Sequence, residues 1–273
     1  MTQDYQFQIV CKDLTQFSKV YLIPLSDFHE GARDADRSVS DGYIKWIADH
    51  DNAFTFLNGD MLNCATKDST PDLFEDLVTP DEAYRRLVKR LTPIKDKIFM
   101  ITRGGHEEAI FRKVGADYMA RLAYDLGDIP YRPDGGMFAL WLSNNGRNTV
   151  FTGYATHGWG GARTIGAKVK KTEDLLSVAD VDLYILSHDH TQHVHRINTF
   201  IPPLANFSLN KANYMTVRRK MLVGTGGFVK NSGYVRRKGY SPQDLGTPRI
   251  RLEIKLEQVR GSTRYYKDLH ASL

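Results

Sequence analysis

The sequence predicts an α/β protein, and three observations carry that expectation. Through the first half, short apolar runs alternate with helical patterns, the signature of βαβ units. From Met137 onward the texture changes to strand, turn and strand, and alternating stretches in the tail imply a second set of strands. The length of 273 residues, with 41% hydrophobic and 25% charged residues, suits one large core of ordinary globular composition. Residues 1–273 are therefore expected to form a single domain.

In chain order, VYLIPL (Val20 to Leu25) reads as a buried strand, followed by a helix around Asp41 to His50 and a second strand in AFTFLNG. The next helix has its start written out: Thr79 caps it, Pro80 suits its first turn and Glu82 completes a T-x-x-E box. Tyr84, Leu87, Val88 and Leu91 then recur at helical spacing and mark one core-facing side. KIFMIT (Lys97 to Thr102) is a third strand, and a helix near Ala116 to Leu126 is closed by Gly127. MFALWLS and NTVFTGYAT flank the turn-like NNGRN and read as an antiparallel hairpin. A helix around Lys171 to Val178 leads into the buried strand VDLYILS, and HVHRIN, MLVG and RIRLEIKL alternate again. The stretch from Phe200 to Asn213 is expected to be a surface loop near the functional site.

The N-terminal MTQDYQFQIVCKD lacks a basic start and an apolar stretch, and no apolar run reaches the roughly 18 residues of a membrane span. A cytoplasmic protein with no membrane partner is the expectation. Cys11 and Cys64 are the two cysteines, without a CxxC pair, so any metal is to be held by histidine and carboxylate. The formal net charge of +5 keeps nucleic acid as a candidate partner, because cations that neutralise phosphates release counterions. The basic clusters Lys168, Lys170 and Lys171, then Arg218, Arg219 and Lys220, then Arg236, Arg237 and Lys238 read as solvated surface.

The chemistry sits where the strands end. Asp27-Phe28-His29 follows the first strand, Asp60 the second, and Arg103-Gly104-Gly105-His106-Glu107 the third. His157-Gly158 follows NTVFTGYAT, and His188-Asp189-His190 follows VDLYILS. Sites in α/β sheets gather beyond the carboxyl ends of strands, so these five ends are expected to converge on one rim. Carboxylate and imidazole are borderline to hard donors that suit Mn, Fe or Zn, and there are enough of them for two ions. Alternate residues leaving a strand point the same way, so His188 and His190 are expected to face one side. His193 and His195 fall on the opposite parity and are expected on an exposed or half-buried face, with His50 and His270 at the surface. Tyr154, Trp159 and the loop from Phe200 to Tyr214 are candidates to line the substrate cleft.

This order of motifs resembles that of the calcineurin-like metallophosphoesterase superfamily: D-x-H, then G-D, then G-N-H-[DE], then H, then G-H-x-H. Here they stand as Asp27-Phe28-His29, Gly59-Asp60, Gly104-Gly105-His106-Glu107, His157 and Ser187-His188-Asp189-His190. The flanks NGDMLNCATK, ATHGWGGARTIG and GYSPQDLGTPRIRL, with the TP-x-E helix, are similar to the phage and prophage branch, which would place the protein in a host cytoplasm. The fold this resemblance implies is a sandwich of two mixed β-sheets packed face to face and flanked by helices. It further implies that Asp27, His29 and His190 hold one divalent metal, His157 and His188 a second, and Asp60 bridges both. A bridging hydroxide would then attack phosphorus, with the cations about 3.5 to 4 Å apart. His106 would donate a proton or hydrogen bond to a phosphate or leaving-group oxygen, and Arg103 would grip phosphate unless a carboxylate pairs with it.

Two positions depart from the family pattern. Ser187 replaces a glycine, a small-for-small change. Gly105 stands where the family has an asparagine whose amide oxygen serves the second metal, so that site is expected to be weakened. Water, a phosphate oxygen and Asn63 are the candidates to fill the gap. The expected function is hydrolysis of phosphodiesters or phosphomonoesters, nuclease action included. The alternative is an impaired scaffold that binds phosphate or nucleic acid. The oligomeric state is not legible in the sequence.

Overall fold

The computed structural model describes residues 8–65, 76–203, 207–210, 212–231, 236, 241–259 and 262–273. Of the third basic cluster, Arg237 and Lys238 lie outside them.

The first half is built from βαβ units, as expected. β2 (Lys19–Leu25), β3 (Ala53–Asn58) and β4 (Ile98–Thr102) are parallel, and α1 (Arg37–Asp49) and α2 (Pro80–Leu91) make the crossovers. Every residue of β3 is buried, so its apolar run is covered on both faces. α2 begins at the predicted cap, where Thr79 accepts the backbone N–H of Glu82, and Tyr84, Leu87 and Leu91 turn into the core. α1 starts earlier than the expected Asp41, because Asp36 accepts the backbone N–H of Val39 and caps it.

β10 (Arg249–Val259) and β11 (Ser262–Ser272) pair antiparallel and join β2, giving a five-stranded sheet of order β11-β10-β2-β3-β4. The other sheet contains β1 (Val10–Leu14), β5 (Gly136–Asn144), β6 (Arg147–Thr156), β7 (Leu183–Leu186), β8 (His193–Ile201) and β9 (Thr216–Gly224). Its order is β1-β5-β6-β7-β9-β8. The β5–β6 hairpin turns on Asn145 and Gly146, both at positive φ, and such two-residue turns match the twist of the strands they join. β1 and β11 are not anticipated by sequence. Both are edge strands, and a half-exposed edge carries the polar residues that hide its alternation.

The sheets pack face to face. Phe54, Phe56 and Leu252 of one meet Phe138, Phe151 and Ile185 of the other in a shared core. The outer face of the five-stranded sheet is covered by α1, α2 and α4 (Tyr118–Asp125), which bury Ile47, Leu87 and Leu122 against Ile23 and Leu57. α5 (Ile165–Asp174) and the 3-10 turn after it lie on the six-stranded sheet, where Leu175 packs with Tyr184 and Leu222. The architecture is thus a sandwich of two mixed sheets flanked by helices.

Two further helices differ from expectation. α5 starts at Ile165 rather than Lys171, because Thr164 accepts the N–H of Ala167 as its cap. α3 (Gly105–Val114) is not anticipated: Gly105, His106 and Glu107 form its first turn, and Gly115 ends it at φ 71°. Among the described residues no helix is long and apolar enough to cross a membrane.

Candidate metal centre

Five strand ends do meet, between the sheets rather than along one of them. β2, β3 and β4 supply three from one sheet, while β6 and β7 supply two from the other. Asn58 stitches them together. Its Nδ2 donates to the Thr156 carbonyl at 2.8 Å and to Ser187 Oγ at 2.7 Å, and its Oδ1 accepts from Thr102 Oγ1 at 3.0 Å. Ser187 therefore has a use that a glycine lacks, as the hydroxyl that joins β7 to β3.

Two groups of donors form at this junction. The ligand atoms of Asp27, His29 and His190 lie within 4.8 Å of one another, as do those of Asp60, His157 and His188. In the first, His190 Nε2 is 3.1 Å from Asp27 Oδ1 and 3.2 Å from His29 Nε2. In the second, His157 Nε2 is 3.1 Å from Asp60 Oδ2 and 3.3 Å from His188 Nδ1. Asp60 Oδ2 is also 4.0 Å from His29 Nε2, so it stands between the groups. A third grouping joins His106 to His29 and Asp60.

The donor set fits divalent cations. Asp27 Oδ1 is buried without a well-formed hydrogen bond although two imidazoles aim at it, an arrangement that a shared cation satisfies. Imidazole nitrogens crowded against carboxylates suit Mn, Fe or Zn. Cys64 is buried and Cys11 exposed, and neither belongs to a donor group.

The backbone achieves this convergence differently from simple strand parity. β2 ends at Leu25 and β7 at Leu186, so neither Asp27-Phe28-His29 nor His188-Asp189-His190 continues a strand. Instead Asp27, His29, Asp60, His188 and His190 all adopt positive φ, between 45° and 72°. Asp and His are among the few non-glycine residues that enter this region with some frequency. As a result His188 and His190 do not share one group: His188 joins Asp60 and His157, and His190 joins Asp27 and His29.

Close backbone approach makes two glycines obligatory. A Cβ on Gly59, whose φ is 81°, would lie 2.6 Å from the Gly104 backbone, and one on Gly104 would lie 2.1 Å from the Asp60 nitrogen. Glu107 then clamps the Asp60 loop, accepting the N–H groups of Asp60 at 3.0 Å, Leu62 at 2.9 Å and Gly104 at 3.0 Å. Sequence reasoning gave Glu107 no role. Its position three residues after the helix cap was the available signal, since a Glu there reaches back to the cap N–H.

Three of the histidines are oriented by their other nitrogen. His157 Nδ1–H donates to the Asn58 carbonyl at 2.7 Å, His106 Nδ1–H to that of Asn63 at 2.6 Å, and His188 Nε2–H to that of Gly160. Such outer contacts fix the tautomer and the ring direction. From α5, Lys168 Nζ donates to the Asp189 carbonyl at 3.1 Å and to Thr191 Oγ1 at 2.5 Å, and Lys171 pairs with Asp189 at 2.7 Å. These two lysines are not solvated surface as expected; they hold the turn that presents His188 and His190.

Charge is shared within each group. Burial opposes ionisation of Asp60, but His157 and His106 beside it hold its carboxyl well below the usual range. Burial disfavours the imidazolium of His157 as well, yet Asp60 raises it to about 10. His190 is raised by Asp27 against the same burial penalty. His29 is pushed down to about 3 by burial and by His106, and His188 is lowered by burial and by His157.

Above the donors lies a cavity of about 170 Å³. Asp60, His29, His106, His188 and His190 form its floor, and Arg33, Lys168 and Gln243 are among its walls. Tyr154 instead packs, half-buried, against the cluster of Leu175 and Tyr184, and Trp159 is exposed beside Lys171. None of the described residues of the β8–β9 loop lines the cavity, because β8 leaves His193 and runs eight residues, about 26 Å, away from it. Arg103 is also absent from the lining. Its guanidinium pairs with Glu108 at 2.5 Å and Asp117 at 2.9 Å and stacks on Phe111. His193 is buried rather than half-exposed, with Nε2 3.0 Å from Thr172 Oγ1, while His195 is exposed. Neither belongs to a donor group.

No family model matches the chain, and no curated protein matches it. Among solved structures, vacuolar protein sorting 29 from Cryptosporidium parvum is similar at 14% identity and a TM-score of 0.40, covering 93% of this chain and 99% of that one.

Proposed function

We propose that the protein is a metal-dependent phosphoesterase of the calcineurin-like superfamily, acting on phosphodiesters or phosphomonoesters through a dinuclear centre. The observation that carries this reading is the pair of three-residue donor groups with Asp60 between them. In the arrangement we propose, Asp27, His29 and His190 hold one divalent cation, His157 and His188 the other, and Asp60 serves both. Two Mn, Fe or Zn ions bound there would supply charge neutralisation at a phosphoryl oxygen and an activated water. The residues do the rest. Asp27 and Asp60 stay ionised and bring the negative charge that the cations need. His106, fixed through its Nδ1–H, turns Nε2 toward Asp60 at 4.0 Å, where it would give a proton to a leaving-group oxygen. The resemblance to phage enzymes would make the host cytoplasm its place of action.

Metal titration of the purified chain, read by calorimetry beside hydrolysis of bis-p-nitrophenyl phosphate, tests the reading. Two binding events, the second weaker, with turnover that follows the second are expected. Absence of metal binding would overturn it. Gly105 favours one other reading, a scaffold that grips phosphate without hydrolysing it. Two bound metals with no turnover on mono- or diesters would select that alternative.

A further inference from the structure

Charge is distributed along the chain very unevenly. Residues 190–243 contain none of the 32 Asp and Glu but nine of the 37 Lys and Arg, so the remaining residues carry 28 basic against 32 acidic groups. The acid-free stretch begins at His190 in the metal turn and supplies Gly227, Val229 and Gln243 to the cavity wall. Between these points it forms the β8–β9 arm, at the outer edge of the six-stranded sheet.

The arm exposes large apolar side chains to water. Phe200 is 70% exposed, Tyr214 78%, Phe207 60% and Val217 61%. In the antiparallel register Phe200 lies opposite Val217, Asn198 opposite Arg219 and Arg196 opposite Met221. Residues two apart on a strand share a face, so Arg196, Asn198, Phe200, Val217 and Arg219 form one stripe with Met221. Met221 is buried in the core, and the stripe continues that inner face beyond the cover of the second sheet. Arg218 and Lys220 project from the opposite face, where Asp180 and Asp182 hold them. Among the described residues no carboxylate pairs with Arg219, and Arg196 bonds only to His270 Nδ1, at 3.1 Å.

We propose that this stripe is a docking surface for single-stranded nucleic acid. The Phe200 ring, free to stack with a base, two arginines without acidic partners and the Asn198 amide match the chemistry of an unpaired polynucleotide, and Phe207 and Tyr214 offer further exposed rings on the same arm. The absence of acid from the whole stretch lowers the repulsion that phosphates would meet on this face. An acidic protein would need ion pairs but would leave the rings without stacking partners. The proposal builds on the phosphoesterase reading and narrows its substrate to a polymer, since only a polymer spans the arm and the cavity about 26 Å away.

Fluorescence anisotropy of a fluorescein-labelled oligothymidylate with the full chain in EDTA measures binding without hydrolysis. The wild-type chain should bind it, more weakly as salt rises. The F200A/R219A double variant should bind about tenfold less tightly, with a shallower salt dependence. Its melting temperature and its hydrolysis of bis-p-nitrophenyl phosphate should match wild type. No binding by wild type, or equal binding by the variant, overturns the docking surface while small-substrate hydrolysis leaves the phosphoesterase reading standing. Binding without hydrolysis of any phosphoester does the reverse. If the variant changes only the sedimentation of the protein alone, the arm is a self-interface and the proposal fails.

Discussion

Glu107 holds Asp60 by its backbone rather than by its side chain. One oxygen accepts the Asp60 N–H at 3.0 Å and the other accepts that of Leu62 at 2.9 Å, so the residue we place between two metals rides on a buried carboxylate. Replacing Glu107 with Gln turns one acceptor into a donor facing an N–H. Leaving a buried donor unsatisfied costs about 1 to 3 kcal/mol. E107Q should therefore lower the unfolding free energy by that amount, read as a lower denaturation midpoint, and weaken metal binding in calorimetry; an unchanged midpoint would contradict the clamp.

Gly105 sits at the first turn of α3, exposed, and a Cβ built on it meets nothing within 4 Å. An asparagine can thus be added there without displacing a neighbour. G105N should raise affinity at the weaker metal site by tenfold or more, a scale that even outer-shell partners reach. Calorimetric titration with Mn checks this. Unchanged affinity would mean that the amide does not reach the centre.

His106 belongs to the cavity floor but has no metal in the proposed assignment. H106A should keep two metals while turnover falls by about 10²- to 10⁴-fold, the range of a lost general acid. The loss should shrink as the leaving group improves from an alcohol to p-nitrophenol. A uniform loss across leaving groups would argue for a role in positioning phosphate instead.

His193 supplies a pH dependence away from the centre. Burial, then the neighbouring His195, lowers it from 6.5 to about 4. The unfolded chain takes up this proton near 6.5 and the folded chain only near 4, so stability is lost as pH falls through that window. The full difference amounts to about 3 kcal/mol. Urea midpoints above and below the window should show a steeper acid loss for wild type than for H193Q. Parallel slopes would show that His193 protonates as easily folded as unfolded.

Much of the positioning was legible in the sequence for physical reasons. β2, β3 and β4 are short unbroken apolar runs because both their faces are covered, and α2 declares itself through Thr79 and Pro80. The donor residues stood out because each follows such a run. The geometry that joins them did not. Left-handed backbone at His188 and His190 sends their rings to different groups, where strand alternation predicted one shared direction. α3 was hidden because its first turn consists of site residues, Gly105 and His106, which form helices poorly on their own. The partners of Arg103 lie five and fourteen residues further on, a proximity that only the folding of α3 and α4 creates.

The positive φ angles at Asp27, His29, Asp60, His188 and His190 oppose folding, each by roughly 1 kcal/mol relative to a relaxed conformation. Glycine at any of them would ease the chain, so the pocket is a mechanical liability that the sandwich around it must outweigh. Its residues are accordingly the ones that a lineage selected for robustness alone would discard first.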